Sequence, residues 1–196
     1  LHDVLSVAVG GFALYHILKV DYFTSLPIQR ALWIAFGVLW VVIIGYIRIY
    51  KPWRMLQHPF EITDMIEERG NVWSMVIEAA DHEGIEFSAG QVAWLTVGHS
   101  PFRIEEHPFS FSSSAERPER LAFAIKELGD FTNRIGEFPI GTKVYIDGPY
   151  GTFDLAHHSG PGFIFIAGGI GSAPIMSMLR TLADREDARP IHFFYG

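Results

Sequence analysis

Two long stretches of the chain carry no charged side chain: Val4–Leu18 (VLSVAVGGFALYHIL) and Ala31–Ile47 (ALWIAFGVLWVVIIGYI). Both are apolar all round rather than striped, which predicts lipid-surrounded helices; a pair of buried core helices is the alternative. With its flanks the second run reaches the roughly 20 residues needed to cross a bilayer. Arg30 and Arg48 bracket it, Trp33, Trp40, Tyr46 and Tyr50 lie along it, and Pro27 stands near its start. The cluster Arg48, Lys51 and Arg54 assigns the far end to the cytoplasmic side, so the first helix runs outward from that side.

Beyond Met55 the period changes. FEITDMIEE and VWSMVIEAA read as strands separated by the turn Arg69-Gly70-Asn71. QVAWLTV, HPFSFSS, RLAFAIKEL and KVYIDG continue the series, punctuated by Gly84, Gly90, Pro101, Pro118, Pro139 and Gly141. Short strands at this spacing predict a small antiparallel β-barrel, interrupted by one helical piece, DFTNRIGEF. Gly160-Pro161-Gly162 then marks a boundary. After it, FIFIAGGIGSAP, SAPIMSMLRTLADRED and IHFFYG read as strand, glycine turn, helix and strand, the opening of a parallel α/β domain. The expected fold class is therefore multidomain: two transmembrane helices over residues 1–54, an antiparallel barrel over 55–158, and the first part of an α/β domain over 159–196.

Composition refines this. Of 196 residues, 49% are hydrophobic and 19% charged, which excludes a disordered or fibrous chain. The formal net charge of −7 argues against a dedicated nucleic-acid binder. Cysteine is absent, so disulfides, thiolate metal sites, Fe–S clusters and a cysteine nucleophile are excluded within this chain. The first residues lack the basic region and cleavage site of a signal peptide. The chain begins inside an apolar run and ends on a strand, and it reads as a window of a longer protein.

Two features carry candidate chemistry. His2 and His16 lie in the first apolar segment. Fourteen helical steps fall about 40° short of four turns and span about 21 Å, so both project from nearly one face, one near each leaflet. That suits two stacked haems, each taking one imidazole; histidines resting at the interface are the alternative. The glycine turn AGGIGSAP lets backbone approach a diphosphate at a helix N-terminus, or is only a turn between strand and helix.

The order HPFS (His107–Ser110), GDFT (Gly129–Thr132), DGPYG (Asp147–Gly151) and AGGIGSAP (Ala167–Pro174) resembles the ferric reductase and NADPH oxidase superfamily. More closely, it resembles bacterial membrane oxidoreductases with a ferredoxin-reductase-type FAD-binding domain. The resemblance covers essentially the whole chain. It implies that His107, Pro108, Phe109 and Ser110 form the flavin motif, with Phe109 against the isoalloxazine and Ser110 near N5. It implies that Gly129 and Thr132 cradle the FAD diphosphate, with Lys126 adding charge, and that Gly148 and Gly151 turn the chain towards the cofactor. Gly168, Gly169, Gly171 and Ser172 would take the diphosphate of NAD(P)H, and His2 and His16 would ligate haem b with partner histidines from other helices of the same chain. One departure is Ala89-Gly90-Gln91, where the family usually has Pro-Gly-Gln.

The implied activity is a transmembrane electron chain in a bacterial inner or plasma membrane with its soluble part cytoplasmic. Electrons pass from NAD(P)H through FAD and two haems b to an outside small-molecule acceptor, O₂ or a ferric chelate. The alternatives are a flavin reductase module serving a protein or quinone partner, and a non-enzymatic haem- or nucleotide-binding membrane sensor.

Overall fold

The computed structural model describes residues 2–20, 22, 24–103, 105–155, 157–158 and 160–196, without the side chains of residues 2–4. The chain divides into two units, Leu1–Pro52 and Trp53–Gly196.

In the first unit, helix α1 (His2–Lys19) and helix α2 (Pro27–Gly45) face each other through glycines. Trp40 of α2 covers Gly10 of α1, and Leu14 of α1 covers Gly37 of α2. A residue with a Cβ at either glycine would push the helices apart. Pro27 occupies the start of α2, where its missing N–H costs nothing, and Gln29 Oε1 accepts the Leu26 N–H at 3.3 Å. A π-helical turn (Tyr46–Tyr50) and helix α3 (Lys51–Leu56) prolong α2, and the Tyr46 and Tyr50 rings stack 5.5 Å apart.

Of the two membrane segments expected, one helix among the described residues has the length and composition to cross a bilayer: Pro27–Leu56, 30 residues. The described apolar part of the first, Leu5–Lys19, is shorter; at 1.5 Å per residue it reaches about 22 Å against a hydrocarbon core of about 30 Å. The side chains of α2 are largely exposed, Val41 at 64% and Phe36 at 61%.

The second unit holds a six-stranded antiparallel sheet: β1 (Phe60–Glu68), β2 (Val72–Ala79), β3 (Val92–Val97), β4 (His107–Ser110), β5 (Arg120–Lys126) and β6 (Lys143–Tyr150). Their order is β4-β3-β6-β1-β2-β5. Alternation sets which side faces inward: Leu121, Phe123 and Ile125 of β5 are fully buried while Arg120 is exposed. These residues join Phe60, Ile62, Met75, Ile77, Leu95, Phe111, Ile135 and Val144 in one core.

The expected closed barrel is not formed. The outer strands β4 and β5 meet through a single bridge, Phe111 with Phe123, beside one Ser112 N–H bond to the Ala122 carbonyl (2.7 Å). The physical reason is length: β4 is four residues long, so its ladder to β3 ends at Ser110 and only its continuation reaches β5.

Strand β7 (Phe163–Ala167), helix α4 (Ser172–Asp184) and strand β8 (Ile191–Tyr195) follow. β7 and β8 pair in parallel, and α4 buries Ile175, Met178 and Leu182 against Phe163, Phe165, Ala167, Ala89 and Leu155. α4 also grips the sheet unit: Arg185 pairs with Glu116 at 2.6 Å and Asp184 with Arg117 at 3.3 Å.

Candidate functional site

Strand β4 presents His107, Phe109 and Ser110, all partly buried, with Pro108 exposed. The His107 ring stacks on Phe131 at 3.8 Å and 11°, and Phe109 lies 6.4 Å from the same ring. Phe131 precedes a 3₁₀ turn (Thr132–Glu137), which replaces the longer helical piece expected there. The HPFS strand and the GDFT loop are thus brought together, and Phe131 is the residue joining them.

The loop around Gly129 is ordered by one side chain. The Thr132 hydroxyl accepts N–H bonds from Leu128 (3.0 Å) and Gly129 (2.9 Å) and donates to the Gly129 carbonyl (3.2 Å). It therefore shapes the loop from within. His107 Nε2 is buried and meets no hydrogen-bond partner among the described residues.

Lys126 lies at the end of β5, on a cleft of about 520 Å³. Arg69, Ser74, Ser112 and Ala124 line one side of this cleft, and Gly169, Ser172, Ala173 and Arg180 the other. Three cations against Glu68 make it suited to an anionic ligand, and Glu68 already accepts a hydrogen bond from Ser74 (3.0 Å). At the glycine turn Gly168 is extended and Gly169 takes φ +51°, a left-handed conformation that favours glycine. Ser172 Oγ donates to the Gly169 carbonyl at 2.9 Å, closing the turn at the start of α4, and Gly171 N–H bonds the Gly168 carbonyl.

Gly148 and Gly151 lie in the turn that ends β6. A Cβ on Gly148 would stand 3.0 Å from the Ala93 Cβ, so the turn packs tightly on β3. The Gly151 carbonyl accepts from Gln91 Nε2 (3.0 Å), whose Oε1 accepts the Ser88 N–H (2.8 Å) and whose backbone carbonyl accepts the Phe111 N–H (3.1 Å). Gln91 thereby ties the DGPYG turn to the continuation of β4. Its position in Ala-Gly-Gln was the available sequence signal. In the same turn Tyr150 donates to Asp147 at 2.6 Å.

The metal candidates fare differently. His16 is exposed on α1, and the His2 side chain lies outside the described residues. Among the described residues no group of three or more His, Cys, Asp or Glu could hold a metal ion.

The sheet and the α/β unit that follows it share their fold with a solved electron-transfer protein. Phthalate dioxygenase reductase superposes with a TM-score of 0.63 at 21% identity, covering 74% of this chain and 45% of that one. Residues 68–154 match the family model of an FAD-binding domain. The reductase component of propane 2-monooxygenase from Rhodococcus jostii (strain RHA1) is 30% identical over 129 residues, 64% of this chain and 34% of the relative. Dual oxidase 2 of Sus scrofa is 32% identical over 112 residues, 51% of this chain and 7% of that protein. The chain thus spans about a third of the length of the first relative.

The residues present fit FAD. Two separate features bear on this: the cationic cleft suits an anionic group, and outside its lining the buried His107 Nε2, unpartnered among the described residues, lies with the aromatic faces of Phe109 and Phe131.

Proposed function

We propose that this chain is the flavin-holding electron-transfer part of an oxidoreductase that draws hydride from NAD(P)H and passes electrons to a protein partner. The observation that carries this reading is the cleft flanked by Lys126 and Ser112 on the sheet side and by Gly169 and Ser172 at the start of α4. When bound there, FAD supplies the conversion of a two-electron hydride into single electrons.

The chain's own residues bind and orient. His107, Pro108, Phe109 and Ser110 offer a short strand with one aromatic face and one hydroxyl. Gly129 and Thr132 fix a loop start, and Lys126 brings charge to the diphosphate. Gly148 keeps the chain close to β3, and Gly151, at φ +102°, lets it turn away so that the cofactor's side stays open. Gly168, Gly169, Gly171 and Ser172 form the turn that takes the nicotinamide dinucleotide's diphosphate. Residues 55–158 are then the flavin domain and 159–196 the opening part of the NAD(P) domain. The relative named as a monooxygenase reductase component supports delivery to a protein partner.

The test is spectroscopic. The full chain should bind FAD, and NADH or NADPH should bleach its flavin absorbance and drive reduction of a one-electron protein acceptor. A protein that takes up no flavin overturns the reading.

A second reading has its own support: a transmembrane route over residues 1–54 with haem b on His2 and His16 and O₂ or a ferric chelate outside. The exposed apolar helix Pro27–Leu56 and the likeness to dual oxidase 2 favour it. The second haem ligands would come from further helices of the full-length chain, in a bacterial inner membrane with the flavin part cytoplasmic. His16→Leu would then lower haem content of the full-length protein without touching FAD binding; equal haem content rules the ligand out.

A further inference from the structure

The helix that begins at the glycine turn holds the flavin strand's continuation by an unusual face. Ser177 and Thr181, one turn apart on α4, are fully buried although polar. Ser177 Oγ donates to the Ser113 carbonyl at 2.7 Å, and Thr181 Oγ1 accepts the Ala115 N–H at 2.9 Å while donating to the Ser177 carbonyl at 2.8 Å. Between them in sequence, Arg180 Nη1 donates to the Ser112 carbonyl at 2.5 Å. Three side chains at helical spacing i, i+3 and i+4 thus engage the consecutive segment Ser112–Ala115.

Arg180 differs from the other two. Ser177 and Thr181 satisfy buried backbone groups, as any packed interface must. Arg180 is exposed and lines the same cleft as Arg69 and Lys126. Its single hydrogen bond to the Ser112 carbonyl leaves most of its five donors unspent. Anchoring a guanidinium by one edge fixes where its charge stands. Ser112 itself lies two positions beyond Ser110, at the end of the strand that carries the HPFS motif.

We propose that Arg180 is a positioning residue for the cleft: it pins the chain just beyond the flavin strand and holds a fixed positive charge on the α4 wall, selecting an anionic cofactor. This rests on the reading that the cleft takes FAD. Arg180 acts on the ligand through the Ser112 carbonyl and through its field. Arg69 and Lys126 face it across the cleft, with Glu68 the opposing carboxylate.

Titration of FAD fluorescence quenching on the full chain, at low and high salt, separates the outcomes. The wild type should bind FAD with an affinity that falls as salt rises. Arg180→Gln should weaken FAD binding about fivefold at low salt, the scale of one partly exposed charge-assisted contact, and flatten the salt dependence. Arg180→Lys keeps the charge without the planar fork and should restore the salt dependence. The thermal midpoint of the FAD-free Arg180→Gln protein should fall by no more than the loss of its bond to the Ser112 carbonyl, and Arg180→Lys should share that fall while keeping the salt dependence, whereas a merely structural role would lower midpoint and affinity alike in both variants. Unchanged affinity and salt dependence in Arg180→Gln overturn the proposal. A salt dependence that Arg180→Lys does not restore overturns it as well. Failure of the wild type to bind FAD overturns instead the flavin reading beneath it.

Discussion

The imidazole of His107 lies flat against Phe131, and its buried Nε2 has no partner among the described residues. An unmatched buried nitrogen costs stability of the order of 1–3 kcal/mol. His107→Phe keeps an aromatic face for Phe131 and removes that nitrogen. The FAD-free protein should melt at or above the wild-type temperature, while FAD affinity falls. Thermal melts with and without FAD check both halves, and a lower midpoint without FAD contradicts them. Asp187 gives a second residue-scale expectation. Its carboxylate accepts a fork of bonds from Arg189, at 2.6 Å from Nη2 and 2.9 Å from Nε. The Arg189 hydrogen bonds hold its pKa down at about 2, below the ordinary 3.8. A depressed carboxyl favours the folded state above its unfolded pKa, and that contribution is lost as pH falls from about 4 through about 2. The turn before β8 should therefore stay clamped at pH 4. Carboxyl chemical shifts of Asp187 measured from pH 6 to 1.5 should show a midpoint near the lower value, and one near 4 excludes the clamp.

At the scale of elements, alternation made the strands legible. Apolar positions at every second residue in RLAFAIK predict β5, and Leu121, Phe123 and Ile125 are the ones buried. Closure was not legible, because the Phe111–Phe123 bridge joins residues from different strands and no local period encodes it. The roles of Phe131 and Gln91 were hidden for the same reason: each acts on a segment distant in sequence. The polar face of α4 was also missed. SMLRT reads as an ordinary amphipathic helix, yet Ser177 and Thr181 face inward because buried backbone groups of residues 113–115 need partners. Ser177→Ala removes the donor to the Ser113 carbonyl and should destabilise the protein by about 1–3 kcal/mol in urea unfolding. Gly84 gives a sharper case. It takes φ +90°, and a Cβ there would run into the Pro118 carbonyl, whose oxygen accepts the Ile85 N–H at 3.1 Å. Gly84→Ala should cost about 2 kcal/mol or more, and a cost below about 0.5 kcal/mol would contradict the close approach.

Two units of different surface chemistry share one chain. Trp53–Gly196 buries a mixed β core, whereas the α2 helix turns Leu32, Phe36, Leu39 and Val41 outward. The apolar runs were legible from the missing charges alone, and how far the first of them extends was not. If the exposed apolar surface of α2 meets lipid, the full chain should sediment with liposomes, and Val41→Asp together with Phe36→Asp, on opposite sides of the helix, should release it into the supernatant. Equal partition of the double variant would show that this surface meets no lipid. Linkage gives a further whole-molecule expectation: a ligand binding only the folded state stabilises it by RT ln(1 + [L]/Kd), about 2.7 kcal/mol at a hundredfold excess over Kd. If the proposed function holds, the melting midpoint of the unit Trp53–Gly196 should rise steadily with FAD concentration, and a flat response would argue against a folded-state site.

The single bridge between β4 and β5 has a mechanical consequence. The longest unbroken ladder runs between β2 and β5, from Val72–Lys126 to Glu78–Arg120. At the Phe111–Phe123 seam one bridge and one neighbouring hydrogen bond hold the edges together. The sheet is therefore anisotropic, stiff across the β2–β5 ladder and weak across the Phe111–Phe123 line, like a cuff fastened by a single clasp. Thermal motion should part it there first, with the amide of Ser112 trading its proton for deuterium sooner than those in the interior of β2.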